Sequence, residues 1–304
     1  MRIYKYWATA SRSIKCASSH CCNYWCKGKP DGKTYVFKAR VGSNLSQEDA
    51  ERRLALVFDE IAAWEAAPTS SQGKVDAHRK RLRELYGCGN PGEYASPICE
   101  EILSEIDSRN IVTRNWYGAE VLNSEDSCFV DIDYVRPTFR EKWSRIFGKL
   151  KTCEEILSNR ADKVLALPEN DDLGIRLYKT AEGFRMVVHG ENLKPGSPRM
   201  MELFRVFNAD DLYTFLCVKQ QCYRARLSPK PSRIGVRGVR KAGRFPFGDD
   251  SAKALHAEWV DQYNAKSVGF AVCKFLFARG RDARTVAVDF HDQAAKAFST
   301  LPLK

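Results

Sequence analysis

The sequence predicts an α+β fold: a mixed or antiparallel sheet core with flanking helices, preceded by a small N-terminal α+β module. Three observations lead there. Short runs such as Gly174–Tyr178 and Gly183–His189 alternate apolar and polar residues with the two-residue period of half-buried strands. Longer stretches such as Ser43–Ala67 repeat apolar residues at helical spacing. The two kinds interleave, with polar turns between neighbouring strands, which favours hairpins in a sheet covered mainly on one side by helices.

The N-terminal module is expected to span residues 1–108. RIYKYW and TYVFKARV read as strands. Between them Cys16, His20, Cys21, Cys22 and Cys26 offer ligand types that suit Zn2+. Their C-x4-CC-x3-C spacing departs from the paired C-x2-C knuckle, so a loop of free thiols is the competing reading. The helix over Ser43–Ala67 opens on a capping pattern, Ser46 with Asp49, and buries a face of Ala50, Leu54, Val57, Phe58, Ile61 and Trp64. Val75–Tyr86 and Pro97–Asp107 are expected as further helices.

Residues 109–304 are expected to form the larger domain. Tyr117–Leu122 and Ser127–Tyr134 read as two strands joined by the turn Asn123–Asp126, and Phe139–Leu157 as a helix. Strands at Gly174–Tyr178 and Gly183–His189 follow, then helices at Pro198–Phe207 and Ala209–Gln220. A basic irregular segment leads to helices near Ser251–Tyr263 and Val268–Ala278 and a last strand, Thr285–Phe290.

A formal net charge of +11 favours polyanionic partners: nucleic acid, nucleotides or an acidic surface. No apolar run reaches the roughly 18 residues that cross a bilayer, and MRIYKYWATA lacks the apolar core of a secretory signal. Seven of the 11 cysteines are scattered singly through expected helices and strands, which fits a reducing, cytoplasmic setting rather than a disulfide framework.

Three places carry candidate chemistry. In CFVDIDY, Asp131 and Asp133 lie two residues apart on a strand, so both carboxylates share one face and flank Ile132 on the other. Adjacent carboxylates repel unless a cation sits between them, which makes the pair a natural Mg2+ or Mn2+ site; an acidic strand end in solvent is the alternative. In Lys179-Thr-Ala-Glu-Gly-Phe-Arg185, Gly183 permits a close approach, and Arg185 and His189 share a face of the next strand, where either would suit phosphate. From Lys219 to Gly248 nine Lys and Arg, among them Arg224, Arg226, Lys230 and Arg233, stand without an acid, interleaved with Tyr223, Phe245 and Phe247. That pattern suits backbone contact and base stacking on DNA or RNA. Near the C-terminus Asp289, His291 and Asp292 read either as a further metal cluster or as a strand-to-helix junction.

The order of these pieces resembles the archaeo-eukaryotic primase superfamily, the primase-polymerase fold, over residues 115–235. FVDID at 129–133 resembles its hhhDhD strand. Thr180–Arg185 resembles the following Ser/Gly-rich turn, with Arg185 where that family has His. Asp210 or Asp211, followed by RARLSPK at 224–230, resembles its third block. The resemblance implies Asp131, Asp133 and Asp210 or Asp211 as catalytic metal ligands, and Arg185, His189, Arg226 and Lys230 as contacts to nucleotide or template; Lys179, Arg224 and Arg233 are expected as further nucleic-acid contacts from the basic pattern. It implies nucleoside triphosphates and DNA or RNA as partners. Three functions follow as expectations: a metal-dependent nucleotidyltransferase of primase or polymerase type, a non-catalytic nucleic-acid-binding protein on the same scaffold, as in a mobile element or defence system, and a metal-dependent nuclease.

Overall fold

The computed structural model describes residues 1–15, 34–66, 77, 80–82, 84, 97–133, 135, 137–148 and 152–304. The cysteine cluster expected as a zinc site, Cys16, Cys21, Cys22 and Cys26 with His20, lies outside them, as does most of the helix expected over Val75–Tyr86. The fold is α+β, with antiparallel sheets and helices. The chain divides into two compact units, one of Arg2–Cys99 and one of Met1 with Glu100–Lys304.

In the first unit β1 (Tyr6–Lys15) and β2 (Thr34–Ser43) form an antiparallel ribbon, in register from Tyr6↔Ser43 to Lys15↔Thr34. The helix α1 (Gln47–Ala66) lays Ala50, Leu54, Val57 and Ile61 on Ala8, Ala39 and Val41. Ser46 caps it by accepting from the Asp49 amide at 3.1 Å, but the Asp49 carboxylate turns to the Ser43 hydroxyl at 2.6 Å, so the expected capping box is half formed.

The second unit holds two four-stranded antiparallel sheets. One runs β3 (Glu101–Asp107), β4 (Asn110–Arg114), β5 (Glu120–Ser124), β9 (Tyr223–Arg226). The other runs β10 (Cys273–Gly280), β7 (Gly174–Thr180), β8 (Phe184–His189), β6 (Cys128–Ile132). The helices are α2 (Phe139–Ile146), α3 (Cys153–Leu165), α4 (Pro198–Phe207), α5 (Asp211–Gln220), α6 (Asp250–Ser267) and α7 (Val286–Ala294).

Several elements differ from expectation, for identifiable reasons. Pro97–Asp107 is not a helix: β3 pairs with β4 through a turn in which the Asp107 carboxylate accepts from the Arg109 amide at 2.7 Å and the Asn110 side chain at 3.0 Å. The expected hairpin across Asn123–Asp126 does not form, because β5 and β6 belong to different sheets. The Ser124 hydroxyl accepts from the Ser127 amide at 2.9 Å, and the Glu125 amide donates to the Arg109 carbonyl at 3.1 Å, so the polar stretch turns the chain between sheets. The helix expected over Phe139–Leu157 is two helices. Val268–Ala278 yields the strand β10, since a short apolar run has no period that separates strand from helix. Thr285–Phe290 is the opening of α7, capped by the Thr285 hydroxyl on the Val288 amide, and Ala287, Val288, His291 and Asp292 form its buried face.

The β6–β8–β7–β10 sheet is not covered mainly on one side. Along β7 and β8 nearly every residue is buried, which requires cover on both faces. On the face that holds Asp131, Arg185 and Tyr178, that cover includes α7, whose His291 ring lies 5.2 Å from both the Phe129 and Tyr178 rings.

Candidate functional site

Register places the acid pair. Asp131 pairs across the sheet with Arg185, and Ile132 with Phe184. Asp133 follows immediately after β6, beside a buried Ile132. The β7–β8 turn closes against this point. A Cβ added to Gly183 would stand 2.2 Å from the Ile132 carbonyl oxygen and 3.0 Å from the Asp133 Cα, so only glycine admits the approach.

The third acid is Asp210. Its amide donates to the Asp131 carbonyl at 2.9 Å. Its carboxylate caps α5 by accepting from the Tyr213 amide at 2.7 Å, and the Tyr213 hydroxyl donates to the Phe129 carbonyl at 2.8 Å. The start of α5 is therefore clamped to β6. Partial desolvation, then repulsion from Asp131 and Asp210, raises the Asp133 carboxyl above its ordinary range, while Lys230 pulls it down. Asp211 is exposed on the first turn of α5.

Around these acids stand Arg226, Lys230 and Arg233. Arg226 is depressed to about 10 by burial, then by Arg185 and Arg233, against a weaker pull from Asp131. Its buried Nε has no hydrogen-bond partner among the described residues. Arg226 and Lys230 line a cleft of about 390 Å³ with Asn115, Tyr117, Pro231 and Ser232. Arg233 pairs with Glu182 in the β7–β8 turn.

Other expected contacts fall elsewhere. Arg185 is 4% exposed; its guanidinium donates to the Arg226 carbonyl at 2.8 Å and meets His291 Nε2 at 3.0 Å. Because Arg185 can only donate, His291 Nε2 accepts and its Nδ1 carries the hydrogen to Asp292 at 3.0 Å. Burial pushes His291 down to about 4, so it is neutral near pH 7. Asp292 also binds Arg176 at 2.7 Å, whereas Asp289 pairs with Arg284 at 2.8 Å. The three C-terminal residues thus do not converge as a metal cluster.

Arg224 pairs with Glu100. Lys179 lies over the Phe184 ring at 4.1 Å, in the strand row that ends on Ile132. His189 stands at the other end of β8, about 13 Å from Arg185 along the strand, and its buried Nδ1 has no hydrogen-bond partner among the described residues. It lines a separate cleft of about 520 Å³ with Asp107, Arg109, Asp126 and Lys194. Tyr223 is fully buried and Phe245 and Phe247 are half-buried, so these rings pack rather than offer open stacking faces.

Among the described residues, no three His, Cys, Asp or Glu side chains close on one point as a protein-only metal cage requires. The Asp133 carboxyl, raised first by desolvation and then by repulsion from Asp131 and Asp210, concentrates negative charge beside Asp131. Asp210 has one carboxylate oxygen left after capping α5. Sequence reasoning missed Asn115 and Tyr117, since a polar and an aromatic residue in a turn carry no signal of the cleft they line. Among the described residues, no helix is long and apolar enough to cross a membrane. No family model, no curated protein and no solved structure matches this chain.

Proposed function

We propose that the chain is a metal-dependent nucleotidyltransferase of primase or polymerase type, acting on nucleic acid with nucleoside triphosphates. The observation that carries the reading is the electrostatic neighbourhood of Asp131, Asp133 and Asp210, which Lys230 and Arg226 share while lining a cleft of their own. Mg2+ or Mn2+ held by Asp131 and Asp133 would supply the positive charge that activates a 3′-hydroxyl and neutralises the leaving pyrophosphate. Arg226 and Lys230 bind phosphate oxygens at the cleft, with Arg233 next to them. Arg185 works from behind, holding the Arg226 backbone rather than touching the nucleotide.

A second reading has a specific observation in its favour. The residue standing where the resembled family has His is a buried Arg committed to His291 and the Arg226 carbonyl. A nucleic-acid-binding protein without catalysis needs only the cationic cleft. Nucleotide incorporation on single-stranded template with Mg2+ or Mn2+, with and without primer, separates the readings. Product from wild type and none from Asp131→Asn/Asp133→Asn supports transfer. Salt-sensitive binding by both proteins without product leaves the binding reading, and metal-dependent cleavage instead of extension points to a nuclease.

A further inference from the structure

The helix α2 and the residue that follows it carry a row of uncovered rings. Phe139, Trp143 and Phe147 recur every fourth residue and so share one face. They are 75%, 48% and 66% exposed. Ring centroids lie 6.0 Å apart for Phe139 and Trp143, and 5.8 Å for Trp143 and Phe147, the latter pair stacked at 22°. The helix is held from another side. Glu141, 4% exposed, receives two hydrogen bonds from Arg160 at 2.9 and 2.8 Å. The outward set of the rings is therefore fixed by a buried ion pair, and three large exposed rings in a row mark a binding face.

Charge says what covers that face. Next to the rings stand the exposed cations Arg140 and Lys142, and the acid among them, Glu141, is already neutralised by Arg160. A second copy of this chain would bring the same cations against them. A single-stranded nucleic acid brings phosphates to the cations and flat base faces to the rings.

We propose that the Phe139–Trp143–Phe147 face along α2 and its C-terminal turn is a stacking platform for the bases of single-stranded nucleic acid. The partner class rests on the nucleic-acid reading above, and the platform adds a contact surface outside the acid site. It is also tied to that site. Arg160, which anchors Glu141, grips the Val206 carbonyl at 3.0 Å and the Asn208 side chain at 2.6 Å, on the segment that leads into Asp210.

Anisotropy of a fluorescein-labelled oligodeoxythymidine, titrated with the full chain, tests the platform. Trp143→Ala should weaken binding roughly 5- to 10-fold, in line with the loss of one stacked base. Phe139→Ala/Phe147→Ala should do at least as much, and Trp143→Phe should stay within about 2-fold of wild type. The slope of log affinity against log salt should stay unchanged, because no cation is removed. Thermal midpoints check that these variants fold. Equal affinity of wild type, Trp143→Ala and Phe139→Ala/Phe147→Ala would overturn the platform while leaving the nucleic-acid reading intact. Failure of wild type itself to bind would overturn both. Self-association of wild type in sedimentation that Trp143→Ala abolishes would assign the face to a second copy and overturn the proposal.

Discussion

The amide of Asp210 donates to the carbonyl of Asp131 across 2.9 Å, so the strand that carries the first acid also positions the third. The tie continues through Tyr213, whose amide meets the Asp210 carboxylate and whose hydroxyl meets the Phe129 carbonyl on the same strand. Two elements far apart in sequence, β6 and the start of α5, thus act as one support for negative charge. Asp133 registers the result, because desolvation and then both neighbours raise its carboxyl. The cost of gathering acids is tolerable where cations or a metal answer them. Lys230 and Arg226 supply part of that answer from the polypeptide.

Gly183 is the contact under the acid pair that tolerates least change. Gly183→Ala forces a methyl onto the Ile132 carbonyl at 2.2 Å, against backbone that has no flexible end to move aside. Overpacking of this kind should cost about 1–3 kcal/mol and lower the thermal midpoint by several degrees. Gly248→Ala, with nothing within 4 Å of the added Cβ, is the control and should be neutral within about 0.5 kcal/mol. Equal midpoints for the two variants would show that the turn does not press on β6.

Acid should weaken the fold in two separable windows. His291 is held neutral down to about 4, against 6.5 for the free side chain. The unfolded chain therefore binds a proton between those values that the folded chain refuses. Stability is fully present above pH 6.5 and falls toward pH 4, by about 3 kcal/mol at most. Although burial opposes it, Arg160 holds the Glu141 carboxyl down at about 2, so its contribution is present above 4.5 and is lost as pH falls toward 2. Urea denaturation across pH 7 to 2 reads both. His291→Gln should flatten the upper window and leave the lower one in place.

Two arginines that are adjacent in space should behave differently toward nucleic acid. Arg226→Gln removes a cation that faces the cleft, so binding should weaken and the salt slope should fall by about 1. Arg185→Gln removes a buried guanidinium and should lower stability while leaving the slope unchanged. Binding isotherms at several salt concentrations, with matched thermal melts, make the comparison. An unchanged slope in Arg226→Gln would remove that residue from the phosphate contacts.

Much of this site was legible because local rules agreed. Asp131 sits on the strand β6 as its alternation implies, although the strand ends at Ile132 and leaves Asp133 one residue beyond it, and the β7–β8 hairpin followed from its period and from Gly183. What failed to show in the sequence was tertiary. Nothing local separates Asp210 from Asp211; only the bond to Asp131 does. Arg185 reads as a phosphate ligand until α7 arrives to bury it with His291. His189 shares the face of Arg185 by parity, but parity says nothing of distance along a strand. Short apolar runs misled in both directions, with β10 expected as helix and α7 as strand, because pairing with β7 and capping by Thr285 decided them. Tyr223 stood among cations and read as a base-stacking ring, yet it belongs to the core.

The most direct test of the central claim is a Mn2+ titration followed by electron paramagnetic resonance, on the full chain with a nucleoside triphosphate held at a fixed concentration. Wild type should take up Mn2+ beyond the amount the nucleotide alone retains. Asp131→Asn/Asp133→Asn should lose that uptake, Asp210→Asn should weaken it by about 10-fold, roughly the 1–3 kcal/mol attached to one charged contact, and Asp211→Asn should match wild type. Identical uptake by wild type and Asp131→Asn/Asp133→Asn would contradict the account, because the carboxylate pair would then hold no cation.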